Sequence, residues 1–119
     1  MPWSHLEIVD CHGNYISELD DSLRLFPVVT LLDLSDNNLS SITTDLQYLH
    51  SIEILNFSFN QLRSLRPLLD PVVIPALARL TCLNIANNKL ASLLGIECLS
   101  ALTDLNAINN RIDCFDELR

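Results

Sequence analysis

Positive charge is scarce in this chain: one lysine and six arginines stand against 15 acids, leaving a net charge of −8. Affinity for a phosphate backbone comes from clustered Lys and Arg that release counterions, so nucleic acid is excluded as a partner. Glycine is nearly absent, with only Gly13 and Gly95, and a glycine-rich phosphate loop has nothing to be built from. No apolar run approaches the roughly 20 residues needed to cross a bilayer, so no membrane span is expected. MPWSHLEIVD, at the start, has neither a basic opening nor a continuous apolar stretch, and no secretory signal is expected there. Cys11, Cys82, Cys98 and Cys114 form no CxxC pair and no cluster with His5, His12 or His50 at metal-ligand spacing. We therefore expect reduced thiols, no metal, no cofactor and a cytoplasmic address, although an even cysteine count leaves a disulfide open. The sequons at Asn38 and Asn56 would matter only in a secreted chain.

What the chain does have is apolar residues, 49% of the total, enough for one domain of 119 residues to bury roughly 65% of its unfolded surface. They recur with a fixed pattern. LEIVDCHGNYI from Leu6, VTLLDLSDNNL from Val29, IEILNFSFNQL from Ile52, LTCLNIANNKL from Leu80 and LTDLNAINNRI from Leu102 all fit L-x-x-L-x-L-x-x-N-x-L. Their asparagines are Asn14, Asn37, Asn60, Asn88 and Asn110, giving steps of 23, 23, 28 and 22 residues. Positions four and six of each copy alternate with more polar neighbours, as a short strand with one buried face requires. The inward pairs are Val9 and Cys11, Leu32 and Leu34, Leu55 and Phe57, Leu83 and Ile85, Leu105 and Ala107. Each asparagine should turn the chain out of its strand and bond backbone groups that would otherwise be buried alone, a stacked ladder. Behind it, Ile16, Leu19, Leu23 and Phe26, then Leu39, Ile42, Leu46 and Leu49, fill the core from the other side. Those segments are too short for a long helix, and Thr44 to Gln47 fits a capping box.

The motif is identified as that of the leucine-rich repeats. The 22 to 23-residue period and the spacer NKLASLLGIECLSALTDL resemble the cytosolic subclass of the type-1 phosphatase regulator and the axonemal dynein light chain. Asn88, Leu90, Leu93, Gly95, Ile96, Glu97, Leu99 and Leu102 match that spacer, and Arg111, Ile112, Phe115 and Leu118 begin another. The expected fold class is α/β: a leucine-rich-repeat solenoid over residues 1–119, curved as a right-handed superhelix. It should carry five short parallel strands on the concave face and short helices or 3-10 turns on the convex face. The resemblance implies a partner-binding protein, with cilia, centrioles, phosphatase targeting and spliceosomal complexes among the settings such proteins serve.

Two places depart from the pattern. The spacer between Leu65 and Ile74 is about five residues long in excess, an insertion at about 66–73 with Pro67, Pro71 and nearby Pro75 opposing regular pairing. It should bulge on the convex side, with Leu68, Leu69, Val72 and Val73 either forming a second docking patch or, more simply, packing across that surface. At Arg119 a spacer closes without a capping motif, so we expect the N-terminal part of a longer protein. Trp3 stands three residues before Leu6, as Phe26 stands before Val29, which puts its ring over the first layer.

Function should lie in the outward columns of the strands. The third position reads Ile8, Leu31, Ile54, Cys82 and Asp104; the fifth reads Asp10, Asp33, Asn56, Asn84 and Asn106. The seventh reads His12, Ser35, Ser58, Ala86 and Ile108, and the eighth Gly13, Asp36, Phe59, Asn87 and Asn109. Residues 1 to 58 hold nine acids against Arg24 alone, whereas 59 to 119 hold six of each sign. An apolar stripe with an acidic N-terminal edge suits a protein partner with apolar anchors and a basic flank. We assign the partner-binding set Ile8, Asp10, His12, Leu31, Asp33, Ser35, Asp36, Ile54, Asn56, Ser58, Phe59, Cys82 and Asn84. Asp or Asn at position five and Ser at seven are also what such repeats ordinarily carry. Catalysis is not expected, because alternation turns Cys11 inward and His12 outward, and no general acid accompanies the carboxylates. The leading reading is an adaptor of a cytoskeletal, ciliary or centrosomal protein; the alternatives are a subunit seated on an enzyme such as a type-1 phosphatase, and a secreted or bacterial surface binder.

Overall fold

A computed structural model describes residues 3–112, so the expectations attached to Cys114, Phe115 and Leu118 lie outside the described residues. Five three-residue strands form one parallel sheet in chain order: β1 Ile8–Asp10, β2 Leu31–Asp33, β3 Ile54–Asn56, β4 Cys82–Asn84 and β5 Asp104–Asn106. Three residues cannot hold a strand alone, and each strand is extended by bonds to the next unit. The position-six N–H groups of Cys11, Leu34, Phe57 and Ile85 donate to the position-five carbonyls of Asp33, Asn56, Asn84 and Asn106 at 2.7 to 2.8 Å.

Behind the sheet run 3-10 turns in place of α-helices: η1 Asp21–Leu25, η2 Thr44–Tyr48, η3 Arg66–Leu69 and η4 Ile96–Cys98. Asp20 caps η1, its carboxylate accepting the Ser22 N–H at 2.8 Å. The capping box expected at Thr44 is displaced by one residue. Thr43 is the extended cap, and its hydroxyl accepts the Asp45 N–H at 3.3 Å. With Thr43 as the cap the third residue of the turn is Leu46, so Gln47 does not stand where a capping box needs its amide.

The core lies between strands and turns. Leu32, Leu34, Leu55, Phe57, Leu83 and Ile85 enter it from the sheet, and Leu39, Leu46, Leu49, Leu62, Leu65, Leu90 and Leu99 from behind, all buried. Each such side chain contributes roughly 1.5 to 3 kcal/mol by leaving water. Val9 and Ala107 in the end layers are only partly covered, and Leu105 is 40% exposed. Trp3 stacks on Phe26 with ring centroids 5.4 Å apart, as their equivalent positions before the motif predict.

The long spacer does not stand off as a loop. After η3 it continues in turns through Arg79, with the Val73 N–H on the Asp70 carbonyl at 2.9 Å and the Ala76 N–H on that of Val73 at 3.0 Å. Leu68, Val73 and Leu77 are buried, and Val72 stays open. Apolar side chains on every turn make packing the lower-energy course, and the extra residues are spent on the back of the sheet.

Candidate interaction face

Pairing puts the third-position column in register from unit to unit: Ile8 opposite Leu31, Leu31 opposite Ile54, Ile54 opposite Cys82 and Cys82 opposite Asp104. Side chains there point away from the core because their neighbours at position four point into it. Ile8 is 64% exposed and Ile54 39%, while Leu31 and Cys82 are half-buried by the residues on either side. The result is a short apolar stripe facing solvent.

The fifth-position column has a duty of its own that the sequence reading did not foresee. One side-chain oxygen of Asp10, Asp33, Asn56, Asn84 and Asn106 accepts the N–H two residues on, in His12, Ser35, Ser58, Ala86 and Ile108, at 2.9 to 3.2 Å. Asp and Asn favour such local bonds, which start the bend out of the strand. The recurrence of Asp or Asn at position five in every copy was the signal available for it. Asp10 and Asp33 keep a second carboxylate oxygen for other use.

At position seven the expectation needs correction. Ser58, assigned to the binding set, is only 6% exposed, and Ala86 is buried too. The backbone here is sandwiched, since the carbonyls of Ser35, Ser58 and Ala86 accept the N–H groups of Gly13, Asp36 and Phe59 at 2.9 to 3.1 Å. A small side chain on such a backbone leaves almost nothing for a partner to touch. Ser35 is half-buried and His12 open.

Position eight takes the left-handed backbone in every repeat: φ is 70° at Gly13, 54° at Asp36, 55° at Phe59, 58° at Asn87 and 55° at Asn109. Gly, Asp and Asn tolerate that region; a phenylalanine does not do so readily. Phe59 nevertheless occupies it and is 60% exposed.

The motif asparagines tie the units together. Asn37 accepts the N–H groups of Asn14 and Ile16 at 2.9 Å and donates to the carbonyls of Cys11, Leu34 and Ser35. Asn60 accepts from Leu39 and donates to Leu34, Phe57 and Ser58; Asn88 accepts from Leu62 and donates to Phe57, Ile85 and Ala86. Asn110 accepts from Leu90 and donates to Ile85, Ala107 and Ile108. The exposed Asn14 donates only within its own turn, to Cys11 and His12.

Electrostatically the first two repeats form one corner. His12 Nδ1 lies 2.6 Å from an oxygen of Asp10. That hydrogen bond holds the Asp10 carboxyl below its ordinary 3.8 and raises His12 above 6.5, with Asp33 and Asp36 adding to the latter. Asp10, His12 and Asp33 offer ligand atoms within 4.8 Å of one another, yet Asp10 and His12 are exposed, Asp33 is half-buried, and Nδ1 is already engaged. Cys11 points to the core side, beside Ile16, Leu19 and Leu34, and burial raises its thiol above 9.0, with the Asp10 and Asp33 charges adding. A protonated thiol turned away from His12 is a poor nucleophile.

Gly95, matched in the spacer by resemblance, acquires a steric reason. Its φ is 115°, and a Cβ there would lie 2.5 Å from the Leu65 carbonyl oxygen. Glu97 accepts its N–H at 2.9 Å.

The model of the Leucine Rich Repeat family matches residues 29–49, the second unit. Over 118 residues the chain is 32% identical to the human (Homo sapiens) serine/threonine-protein kinase 11-interacting protein, covering 99% of this chain and 10% of that protein. The chicken (Gallus gallus) protein of the same name is 34% identical over 110 residues, 92% of this chain and 10% of its own length. The chain thus spans about a tenth of the curated relatives it matches. Five motif copies stacked in register on shared asparagine amides, together with these matches, make the chain a leucine-rich-repeat protein.

Proposed function

We propose that this domain is a binding module that docks another protein on its strand face and performs no catalysis itself. The observation that carries the reading is the in-register column Ile8, Leu31 and Ile54, an apolar stripe turned to the solvent side of the sheet while its position-four neighbours Leu32 and Leu55 are buried. Exposed aromatic and aliphatic residues flanked by charge are the usual anatomy of an interface. The partner's matching surface carries apolar anchors for the stripe and a basic flank for Asp10, Asp33 and Asp36. His12, Ser35, Asn56, Phe59, Cys82 and Asn84 complete the face, and Ser58 drops from it.

Among the partner classes, the relatives' names favour an enzyme as the thing bound: both are described as interacting with a serine/threonine-protein kinase. That supports a regulatory or scaffolding subunit seated on a kinase over one seated on a phosphatase. A cytoplasmic address belongs to the same proposal, supported by the free thiols of Cys11, Cys82 and Cys98. The cytoskeletal or ciliary adaptor role, which rests on the subclass resemblance, is the second setting for the same face.

The test compares the parent with Leu31→Glu and Ile54→Glu for binding to purified serine/threonine-protein kinase 11 and for proteins co-purified from cells. Both variants should keep the parent's melting temperature and lose binding by tenfold or more, about 1.4 kcal/mol. Unchanged binding would move the interface off the strands, to the back where Val72 is exposed.

A further inference from the structure

Resting on the docking reading above, we propose that the face recognises an arginine carried by the partner's segment, held between the ring of Phe59 and the carboxylate of Asp36, with the segment's apolar anchor against Ile54. Three observations meet here. Phe59 and Asp36 are neighbours in the left-handed column, because the Asp36 N–H bonds the carbonyl of Ser58, the residue before Phe59, at 2.9 Å. On the far side of Phe59 stands Asn87, an uncharged amide whose oxygen accepts the Asn109 amide at 3.0 Å, so the charged acceptor next to Phe59 lies on the Asp36 side.

The second observation is charge. Among the described residues the ion pairs are His12 with Asp10 and Arg24 with Asp21, and neither involves Asp33 or Asp36. Asp33 spends one oxygen on the Ser35 N–H and keeps the other. Asp33 and Asp36 act on His12 through space alone, its hydrogen bond being spent on Asp10, and the half of the chain that carries them has Arg24 as its one Lys or Arg. A basic partner is what complements this surface.

Third, the aromatic stands where the other four repeats carry Gly, Asp or Asn, in a backbone region that disfavours it and with most of its ring in water. Local strain of this kind persists where function retains it. A guanidinium is planar, stacks on an aromatic face and bonds a carboxylate through two parallel N–H groups, whereas an ammonium is a point charge. An aromatic and a carboxylate carried on neighbouring positions of one column therefore select arginine over lysine, and Ile54, open in the same repeat, receives the neighbouring apolar residue.

The experiment selects binders from a random peptide library displayed on phage against the described domain in its full 119-residue chain, then measures synthetic copies of the enriched peptides. Enriched peptides should carry arginine next to an apolar residue. Replacing that arginine by citrulline, its uncharged isostere, should weaken binding to the parent by about three- to tenfold, and lysine should fall in between. The citrulline penalty should vanish on Asp36→Asn and on Phe59→Asn, two variants whose new residue tolerates left-handed backbone and whose melting temperatures should not fall. Peptides without arginine, or indifferent to citrulline, that are still lost on Ile54→Glu would overturn the clamp and leave the strand-face reading intact. Peptides indifferent to Ile54→Glu would overturn both. An empty selection counts against the clamp, since a peptide-borne arginine is what it specifies.

Discussion

The three inner repeats and the two end repeats are written in the same motif, yet they are in different physical states. Leu32 and Leu55 are sealed, while their equivalents Val9 and Leu105 are only partly covered. Asn60 and Asn88 are buried and bridge to both the neighbouring unit and their own turn; Asn14 is exposed and serves its own turn alone. A repeat's side chains are worth what the layers on either side make of them, as expected where stability is a sum of units and nearest-neighbour interfaces.

The sharpest way to break that comparison is to cut the same side chain in the middle and at the end. Leu55→Ala should cost about 3 to 5 kcal/mol and Leu105→Ala under about half of that, read by urea denaturation; equal losses would show that position, not neighbours, sets the energy. The two glycines form a second pair. Gly95→Ala meets both left-handed backbone and the Leu65 carbonyl, a combined penalty of about 2 to 4 kcal/mol. Gly13→Ala meets only the backbone cost of about 1 to 2 kcal/mol, its nearest atom being Asp36 Oδ2 at 4.0 Å.

Asparagines give the third contrast. Asn60→Ala strands the buried Leu39 N–H and takes one of two donors from each of the carbonyls of Leu34, Phe57 and Ser58, and should lower stability by about 1 to 3 kcal/mol, against less than about 1 kcal/mol for Asn14→Ala. A melting temperature for Asn60→Ala equal to the parent's would refute the ladder as a source of stability. Phe59→Asn runs the other way: relief of the disfavoured backbone should raise stability by up to about 1 kcal/mol, visible as a higher thermal midpoint.

The smallest effect belongs to the exposed Asp10–His12 pair. His12 is raised, so its contribution is complete below 6.5 and is lost as pH rises through its folded value; Asp10 is lowered, so its part holds above 3.8 and is lost as pH falls through its folded value. NMR titration of His12 in Asp10→Asn should show its midpoint moving back toward 6.5. An unmoved midpoint would mean that the more distant carboxylates hold the proton.

Strand positions, register and the inward pairs were legible because one residue's identity repeats five times at a fixed offset, and a period-2 pattern admits one register. Burial at the ends was not, since Val9 and Leu55 look alike until their neighbours are counted. Ser58 was misjudged for a related reason: side-chain direction was read correctly, but the backbone bonds that bury position seven come from the preceding unit. Phe59 was recognised as exposed, whereas its left-handed backbone was hidden, because propensity alone assigns that region to Gly, Asn or Asp. Thr43 and Thr44 compete for one cap, and a shift of a single residue is within what a five-residue turn permits.

Between Ile54 and Cys82 the chain spends 28 residues where Leu31 to Ile54 takes 23 and Cys82 to Asp104 takes 22, and all three pairs still lie directly opposite one another. Length added at the rear is invisible from the front. The two surfaces can therefore be edited as separate texts: foreign sequence spliced beside the exposed Val72 should leave the recognition columns where they stand, which makes that site the natural place to graft a reporter or a second specificity.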